Sequence, residues 1–382
     1  MRALLFHKLT MEILYKNATV ISENKKFKAS ILIADGKFKK IIRSGTLPKA
    51  QKIVDLKNNI LTTPFVDTHI HGSYGFGVDS QDKNALLKLS IELKKQGVCA
   101  FCPTVFTMSL NKTVAVLKKF APSIGKEKGA KIIGFHLEGP FISPNKLGFM
   151  RKEDVQQISL KTLQTLYKAA NGKIVSMTVA PEVKNLNTLV NFAKKHNILL
   201  QAGHTSATCN EMLKGYKLGI KHATHLYNAM SALHHRDLGA VGTVFYLKDF
   251  SAEIIADGIH VCPQAVNLFL KQKAPERVFI ITDALTPTGK KEGLSNGQKV
   301  KLQNGVFIRT NDGVIAGSAL TMLKAVQNLV KWGYPLEYAL QAASTTPSKR
   351  FGINLSIKPG NKANFIVLDK KTLALKQIQF ML

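Results

Sequence analysis

The feature that most constrains the fold of this chain is a repeated pattern between about Thr63 and Gly352, where short apolar runs alternate with longer helix-like stretches. This alternation is typical of β-α units, whose strands form a parallel sheet. The eight predicted strands are FVDTHIHG, VCAFCPTVF, KIIGFHLEG, IVSMTVAPE, ILLQAGHT, HATHLYNA, AEIIADGIH and VFIITDAL. The amphipathic stretches between them include Lys83–Gln96, Leu160–Ala170 and Leu186–His196. Eight such strands close a barrel, so the predicted fold class is α/β, with a TIM-like (β/α)8 barrel.

Both ends of the chain show a different pattern, in which short apolar runs alternate with turn residues such as Asp35-Gly36. This pattern is typical of β-hairpins in a small sheet. We therefore predict that residues 11–61 and 353–382 together form a small β-sandwich domain. Residues 62–352 are predicted to form the barrel domain.

The charge of the chain bears on the partners it can have. The formal net charge is +30, and lysine supplies most of the 54 basic residues. Proteins that read bases or phosphates usually depend on the arginine fork. The lysines here are scattered through helix-like stretches instead of being massed in one tract. We therefore interpret the charge as a solvated basic surface and expect no nucleic-acid partner.

Cysteines and hydropathy indicate the compartment. Four cysteines in a chain of 382 residues do not form a disulfide framework, which predicts a reducing, cytoplasmic location. Cys99 and Cys102 have the spacing of a redox or zinc pair, but no second pair is near, which favours buried strand thiols. No apolar run reaches the length of a membrane span. The first ten residues are interpreted as an extension, with Met11 as an alternative start.

Nearly every predicted strand ends in a side chain that can bind a metal or transfer a proton, and strand ends form the active-site face of a β/α barrel. His69 and His71 end the first strand two residues apart, so both project to one face and can grip one cation. The residues that end the third, fifth, sixth, seventh and eighth strands are Glu138, His204, His225, His260 and Asp283. One such residue alone is more typical of a hydrogen-bonded core, but the whole set predicts a metal centre.

The predicted ligands are imidazoles and carboxylates, which suit zinc or ferrous iron. Such an ion acidifies water and polarises a carbonyl oxygen, and amide hydrolysis needs both. Asp283 is the predicted general base and acid, with metal ligand or helix cap as alternative roles. His136, two residues before Glu138, is either a ligand or a supporting group. The histidines interpreted as surface or supporting groups are His7, His196, His222, His234 and His235.

Several segments carry a family resemblance. They are VDTHIHG, HLEGPFISP, AGHTSAT, ATHLYNAMSALHHRD, ADGIH, ITDALTPTG and AGSALTM. Together they resemble the N-acetylglucosamine-6-phosphate deacetylase family, a branch of the amidohydrolase superfamily. The HxH pair alone indicates only the superfamily, whereas HLEGPF and THLYNAM are specific to this branch. The resemblance runs from about Asn17 to Asp369.

The resemblance implies a fold and an activity. The fold is a β/α barrel with a small β-sandwich built from both termini, assembled as a homodimer. The activity is metal-dependent hydrolysis of the acetamide of N-acetylglucosamine 6-phosphate to glucosamine 6-phosphate and acetate. The implied ligands of the principal metal are Glu138, His204 and His225. Asp283 is the implied catalytic acid and base, and the His69/His71 pair favours two metals over one, with Glu138 as the bridge.

The resemblance also implies a substrate-binding set. Its residues are Asn228, Ala229, Arg236, His260, Ala316, Gly317 and Ser318, together with position 150. Arg236 resembles an arginine that reaches the sugar phosphate from the neighbouring subunit. An arginine and a histidine at a phosphate make physical sense, because charge-assisted hydrogen bonds hold a dianion firmly.

One position departs from the family pattern. The loop after Glu138 normally carries a histidine that contacts the acetyl carbonyl, and the matching residue here is Met150. Methionine cannot donate a hydrogen bond. Either the metal alone polarises the carbonyl, or Arg151 or another histidine replaces the donor. Loss of one such donor can cost about 10²–10³ in turnover.

Two other hypotheses remain open. The chain can be an amidohydrolase for another phosphorylated or cyclic amide, or a basic binding protein on an inactive barrel. Glu138 within HLEGPF, where many relatives use a carboxylated lysine, disfavours a cyclic amide, as does the anion-binding pair Arg236 and His260. The burial of so many ligand-type side chains is costly without a metal, which disfavours an inactive protein.

Overall fold

The computed structural model describes residues 11–380, so the interpretation of the first ten residues as an extension lies outside the described residues. The chain divides into two compact units. The smaller unit comprises the described residues up to Pro64 and from Ser348 onward. The larger unit is Phe65–Pro347.

Strands and helices of the described chain are numbered in chain order. The strands are β1 (Ile13–Ser22), β2 (Lys25–Ala34), β3 (Lys37–Ile42), β4 (Lys52–Asp55), β5 (Ile60–Thr62), β6 (Phe65–Ile70), β7 (Gly72–Ser73), β8 (Phe76–Gly77), β9 (Val98–Val105), β10 (Lys131–Ile132), β11 (Phe135–Glu138), β12 (Ile174–Val179), β13 (Leu199–Ala202), β14 (His222–Ala223), β15 (Ser251–Ile255), β16 (Val278–Ile281), β17 (Glu292–Ser295), β18 (Gln298–Gln303), β19 (Val306–Arg309), β20 (Ile315–Ser318), β21 (Phe365–Leu368) and β22 (Leu375–Gln379). The α-helices are α1 (Ala85–Lys95), α2 (Leu110–Phe120), α3 (Leu160–Ala169), α4 (Leu186–Lys195), α5 (Cys209–Leu218), α6 (Gly239–Tyr246), α7 (Pro263–Gln272), α8 (Met322–Lys331), α9 (Leu336–Leu340) and α10 (Thr346–Arg350). Short 3-10 turns occur at Ala121–Ser123, Lys152–Asp154 and Pro275–Arg277, and a π-helical turn at Gln341–Thr345.

The smaller unit is built on one seven-stranded β-sheet that combines both ends of the described chain. Its sheet runs in the order β22-β21-β5-β1-β2-β3, with β4 also paired to β1. Glu23-Asn24 and Asp35-Gly36 turn the chain between β1, β2 and β3 with positive φ angles, as tight two-residue hairpins require. The sheet encloses an apolar core that includes Phe38, Leu61 and Phe365. Burial of these side chains therefore holds the two chain ends in one sheet.

Eight parallel strands form the barrel within Phe65–Pro347. Their order around the ring is β6-β9-β11-β12-β13-β14-β15-β16, with the short β10 also beside β9. Two hydrogen bonds join the last strand to the first: the Asp283 N–H donates to the His69 carbonyl at 2.9 Å, and the His71 N–H donates to the Ala284 carbonyl at 3.0 Å. These are the eight strands expected from the sequence, so the predicted barrel is confirmed.

The helices between the strands follow the amphipathic stretches of the sequence. Helices α1, α3 and α4 lie inside the three stretches predicted above. Leu86, Leu89 and Leu93 of α1 are buried on one face, since positions three and four apart share a side of a helix. Helix α5 begins with a capping box between Thr208 and Glu211, which fixes the path of the chain just after the fifth barrel strand.

A four-stranded antiparallel sheet, β17 to β20, follows the last barrel strand in the described chain, and the sequence analysis does not predict it. Its turns at Asn296-Gly297 and Asn304-Gly305 have positive φ angles, so the hairpin signal was present in the sequence. Strand β20 returns to the barrel, where the Ser318 N–H donates to the Asp283 carbonyl at 2.9 Å. The insertion therefore brings residues 316–318 beside the end of β16.

Two predictions from composition concern the strands and helices themselves. Cys99 and Cys102 are buried in β9, and burial raises the pKa of Cys99 to about 12, as expected for structural thiols. Among residues 11–380, no helix is both long enough and apolar enough to cross a membrane.

Candidate active site

Four histidine rings converge on one carboxylate at the C-terminal ends of the barrel strands. The Nε2 atoms of His225 and His204 lie 2.9 and 3.1 Å from Oε1 of Glu138. On the other side, Nε2 of His71 lies 3.4 Å from Oε2 of Glu138, and Nε2 of His69 lies 3.6 Å from Oε1. Glu138 therefore stands between two pairs of imidazoles that come from three different strands.

Backbone carbonyls orient two of these rings. Nδ1 of His204 contacts the Lys146 carbonyl at 2.8 Å, and Nδ1 of His71 contacts the Thr104 carbonyl at 2.9 Å. A carbonyl only accepts, so each Nδ1 must carry the proton. In the neutral ring this leaves the lone pair on Nε2, the atom that faces the bridging carboxylate.

The residues present fit a divalent cation. Nε2 of His69 and Oε2 of Glu138 are buried and have no hydrogen-bond partner within residues 11–380. Buried polar atoms are nearly always hydrogen-bonded. Two such atoms without a hydrogen bond in one cluster therefore indicate that both are placed to be ligands of a metal ion. Ligand atoms within 4.8 Å of one another form two groups that share Glu138. These groups are His69/His71/Glu138 and Glu138/His204/His225.

The carboxylates of the cluster favour positive charge. Burial alone raises the pKa of Glu138, but the close contacts of its Oε1 with His204 and His225 hold it well below its usual range. Burial alone lowers the pKa of His69, but the hydrogen bond and charge of Glu253, with Asp283 and Glu138 nearby, raise it to about 10. A cluster that draws protons so strongly attracts a metal cation for the same electrostatic reason.

Asp283 lies beside the HxH pair and faces the open side of the cluster. Its Oδ1 is 3.2 Å from Nε2 of His71 and 3.4 Å from Nε2 of His69. Burial alone raises the pKa of Asp283, but the hydrogen bond with His71 and the charges of both histidines lower it below its usual value. The carboxylate is therefore ionised at neutral pH and able to accept a proton.

A cavity of about 320 Å³ opens in front of the cluster. One wall is apolar, with Phe106, Phe149, Met150 and Ile315 among its residues. The ring of Phe106 stacks on His71 with centroids 3.6 Å apart and planes 3° apart. This wall holds the histidine in place and limits the access of water to one side of the cluster.

The structure brings most of the sequence-predicted substrate residues to this cavity. Those that line it are Met150, Asn228, Ala229, His260, Ala316 and Gly317. Ser318 is instead buried below the site, where its Oγ donates to the Thr282 carbonyl and its N–H to the Asp283 carbonyl. It therefore supports the turn that carries Asp283.

Arg236 is the other predicted substrate residue that does not line the cavity of its own chain. It lies in an exposed stretch, and its Nη1 is 3.0 Å from Nε2 of the neighbouring His235. Within residues 11–380 the cavity lining contains no arginine. No guanidinium of the described chain therefore lines the cavity.

Three of the converging side chains lie on strained backbone. His204, His225 and Asp283 have φ angles of 46°, 23° and 50°, and each lies two residues after its strand ends. Such left-handed conformations are uncommon outside glycine and cluster at functional sites. They turn the chain out of the barrel at the positions where the side chains are needed.

The loop with Met150 is held by the inserted sheet. The Phe149 carbonyl accepts a hydrogen bond from Nε2 of Gln298 at 3.1 Å, and the Arg309 guanidinium lies 5.6 Å from the centre of the Phe149 ring. A Cβ at Gly148 would lie 3.3 Å from Cε1 of His204, so a side chain there would crowd that ring. The methionine is thus a fixed part of the cavity wall.

Three acidic residues near the site were not singled out from the sequence. Glu253 contacts His69, and Asp257 contacts Nδ1 of His260 at 2.6 Å. Asp67 is fully buried and accepts a hydrogen bond from Thr282 at 2.6 Å, and burial raises its pKa to about 7. The available signal was an acidic residue inside or next to an apolar strand, which is rare without a partner.

His136 lies outside the cavity lining, and both roles inferred from the sequence remain predictions, because it forms with His69 and Glu253 a group that could hold a metal. Its Nε2 contacts Oγ1 of Thr178 at 2.9 Å, and its ring is 4.6 Å from that of His69. Burial and the nearby His69 lower the pKa of His136 to about 3, so the ring is neutral. It packs below the cluster instead of facing the cavity.

Comparison with known proteins identifies the family. The amidohydrolase family model matches residues 60–382. The N-acetylgalactosamine-6-phosphate deacetylase of Escherichia coli O157:H7 is 31% identical over 344 residues, covering 88% of this chain and 89% of that protein. The N-acetylglucosamine-6-phosphate deacetylase of Bacillus subtilis (strain 168) is 31% identical over 325 residues, covering 83% and 82%.

Solved structures agree with these relatives. The N-acetylglucosamine-6-phosphate deacetylase of Thermotoga maritima is 29% identical with a TM-score of 0.83, covering 94% of this chain and 96% of that one. The Mycobacterium smegmatis enzyme of the same name has a TM-score of 0.88 at 23% identity over 96% and 98%, which supports the fold alone. The chain therefore belongs to the amidohydrolase family, and it is similar to the deacetylases of N-acetylated amino-sugar 6-phosphates within that family.

Proposed function

We propose that the chain hydrolyses the acetamide of N-acetylglucosamine 6-phosphate to glucosamine 6-phosphate and acetate. The observation that carries the proposal is the convergence of four imidazoles and Asp283 on Glu138 at the base of a cavity of about 320 Å³. The relatives named above act on N-acetylated sugar phosphates by their names, which supports this choice of amide.

One or two divalent cations, zinc or ferrous iron, are proposed as cofactors. Glu138, His204 and His225 would hold the first, and His69 with His71 and Glu138 would hold the second. A bound cation of this kind acidifies water and polarises an amide carbonyl. Nitrogen and oxygen donors in buried positions suit both metals.

Asp283 is the proposed general base and acid. Its ionised carboxylate takes the proton of the attacking water as the oxygen bonds to the acetyl carbon. It then returns that proton to the sugar nitrogen as the carbon–nitrogen bond breaks. A single carboxylate can serve both steps because it faces the open side of the cluster, next to His71.

The acetyl group would lie against the apolar wall of the cavity. Met150 cannot donate to the carbonyl oxygen. Arg151 is outside the cavity lining within the described chain, whereas His260 belongs to it. Asp257 orients the His260 ring by accepting from Nδ1, and His260 is the proposed donor to the substrate, through Nε2 of the doubly protonated ring.

The phosphate is proposed to be bound across a homodimer. Arg236 lies in an exposed stretch away from its own cavity, which supports a contact with a substrate in a second copy of the chain. A guanidinium forms paired, charge-assisted hydrogen bonds with a phosphate dianion. A cytoplasmic location is part of the proposal, since free cysteines fit a reducing compartment.

N-acetylgalactosamine 6-phosphate is a second candidate substrate. The Escherichia coli relative that carries this sugar in its name is as similar to the chain as the Bacillus subtilis relative is. The two sugars differ in the orientation of one hydroxyl group. The amide chemistry at the cluster is the same for both sugars. Contacts between the cavity and the sugar ring must therefore determine which of the two is the preferred substrate.

The test is acetate release by the purified protein from each sugar phosphate, with the metal content of the same sample determined. Release that chelation abolishes and zinc or ferrous iron restores supports the proposed function. The ratio of kcat/KM values for the two sugars identifies the substrate. A folded, metal-loaded protein that releases no acetate from either sugar would refute the proposal.

A further inference from the structure

We infer that Glu253 is a positioning residue that sets the cation affinity of the HxH pair by holding the ring of His69. It lies outside the cavity lining and outside the proposed ligand and substrate sets. The inference rests on the proposed metal-dependent function. Glu253 is expected to affect cation binding at His69 and His71, and not at His204 and His225.

The burial of Glu253 shows that its charge must be compensated. It is the third residue of β15, a strand otherwise made of Ser, Ala and Ile, and its side chain is fully buried. An unpaired carboxylate in such a place would be strongly unfavourable. The presence of Glu253 there therefore points to partners that need a carboxylate.

The hydrogen bonds of the Glu253 carboxylate come from three donors. Oε2 lies 3.1 Å from Nδ1 of His69 and accepts from the His225 N–H at 3.4 Å. Oε1 accepts from Oγ1 of Thr68 at 3.3 Å, and Nε2 of His222 lies 3.9 Å away. The carboxylate therefore has the geometry of a hydrogen-bond acceptor on both oxygens.

A carboxylate oxygen that accepts from Nδ1 fixes the tautomer of His69. Nδ1 must carry the proton, so the lone pair of the neutral ring sits on Nε2. That atom has no hydrogen-bond partner within residues 11–380 and faces Glu138 and Asp283. A carboxylate behind an imidazole also raises its basicity, and such outer partners typically change metal affinity by about 10–100-fold.

The two histidines of the HxH pair differ in the partner of Nδ1. Nδ1 of His71 contacts a neutral backbone carbonyl, that of Thr104. Of the pair, His69 is the one whose Nδ1 contacts a carboxylate. Replacement of that charge by an isosteric amide should therefore weaken the cation position to which His69 contributes, without removing a ligand.

The experiment is titration of the metal-free protein with Zn²⁺ against a competing chelator, for the wild type, Glu253→Gln, His69→Gln and the double variant. The wild type should bind in two steps. Glu253→Gln should weaken the step of the second cation position, the one that His69→Gln also weakens, by about 10–100-fold, and it should leave the step of the first position unchanged. In the double variant Glu253→Gln should add little to His69→Gln, because the two residues act through one contact. With Co²⁺ the absorption bands of the second ion should change, while those of the first stay as in the wild type.

Glu182→Gln is the matched control, since Glu182 also accepts hydrogen bonds at this end of the barrel, from Thr205 and the Ser206 N–H, and touches no histidine ring. It should leave both steps unchanged. The thermal midpoint of each metal-free variant reports folding separately.

Several outcomes would overturn the inference: equal weakening of both steps in Glu253→Gln, additive effects in the double variant, or a single step in the wild type. Loss of a whole ion in Glu253→Gln would instead make Glu253 a direct ligand in the group it forms with His69 and His136. Failure of acetate release with the predicted shift in the step of the second position would refute the proposed function and leave the role of Glu253 standing.

Discussion

The site has two halves that differ in the backbone that carries them. The strand-borne half lies within a barrel strand or one residue after it, and its residues are His69, His71 and Glu138. The turn-borne half lies two residues after a barrel strand, on backbone with positive φ, and its residues are His204, His225 and Asp283. Both halves meet at the same bridging carboxylate, although the chain reaches it in two different ways.

The two halves also differ in what holds their side chains in position. In the strand-borne half, the strand pleat sets the direction of each side chain. The ring of His69 is held by Glu253 on β15, and that of His71 by Thr104 on the neighbouring β9. In the turn-borne half, the left-handed backbone itself aims the side chains, at a cost of order 1–3 kcal/mol for each residue. Substitutions in the two halves should therefore impair the site for different physical reasons.

Asp283→Asn should have the largest effect on catalysis. Asparagine fits the left-handed backbone and keeps the shape of the side chain, but it cannot accept the proton of water. We expect kcat for acetate release to fall by about 10²–10⁴ while the metal content per chain stays the same. Asp79→Asn is the control, because Asp79 pairs with Thr286 and Asn296 outside the cavity lining. An unchanged kcat would contradict the role of Asp283.

His225→Gln and His71→Gln should separate the halves by metal affinity. His225→Gln removes a proposed ligand of the first cation position, so that position should weaken by more than about 100-fold, the upper end for outer partners. His71→Gln should weaken only the other position. Zinc titration against a chelator measures both. Equal effects of the two substitutions would mean that the halves act as one site.

Arg236→Ala should change metal binding in neither half of the site and should instead weaken substrate binding. Loss of a charge-assisted bond to phosphate costs about 1.5–3 kcal/mol, so KM for the phosphorylated sugar should rise about 10–100-fold. The metal content should be unchanged, and KM for unphosphorylated N-acetylglucosamine should barely move. Arg43→Ala, a change in the smaller unit, is the control for loss of positive charge. The same rise for both sugars would argue against a phosphate contact.

The smallest expected effect is on the free energy of unfolding, when a residue that disfavours positive φ is placed in the turn-borne half. Valine tolerates a positive φ poorly, so His204→Val should unfold about 1–2 kcal/mol more easily than His204→Asn. At His71, where φ is not positive, valine should carry no such penalty relative to asparagine. Urea unfolding of the metal-free variants measures the two differences. A valine penalty of the same size at both positions would remove the distinction between the halves.

Much of the site followed from spacing along the chain. The two-residue spacing of His69 and His71 placed both on one face, and the rule that barrel strands end at the active-site face gathered the other ligand-type residues. Glu253 was missed because an acidic residue in an apolar strand gives no hint of its partner, which lies 184 positions earlier in the chain. The sheet β17 to β20 was missed although its Asn-Gly turns are typical of hairpins.

The sequence by itself determined the β-α rhythm, the strand ends and the residue types that gather there, because these depend on periodicities of two and 3.6 residues along one chain. Only the tertiary structure decided which ring faces which oxygen, that Ser318 lies beneath Asp283, and that Arg236 lies away from its own cavity. These facts depend on register between strands and on the path of the turns, where contacts join residues far apart in the chain. A local pattern fixes the direction of a side chain, but closure of the barrel fixes what that side chain meets.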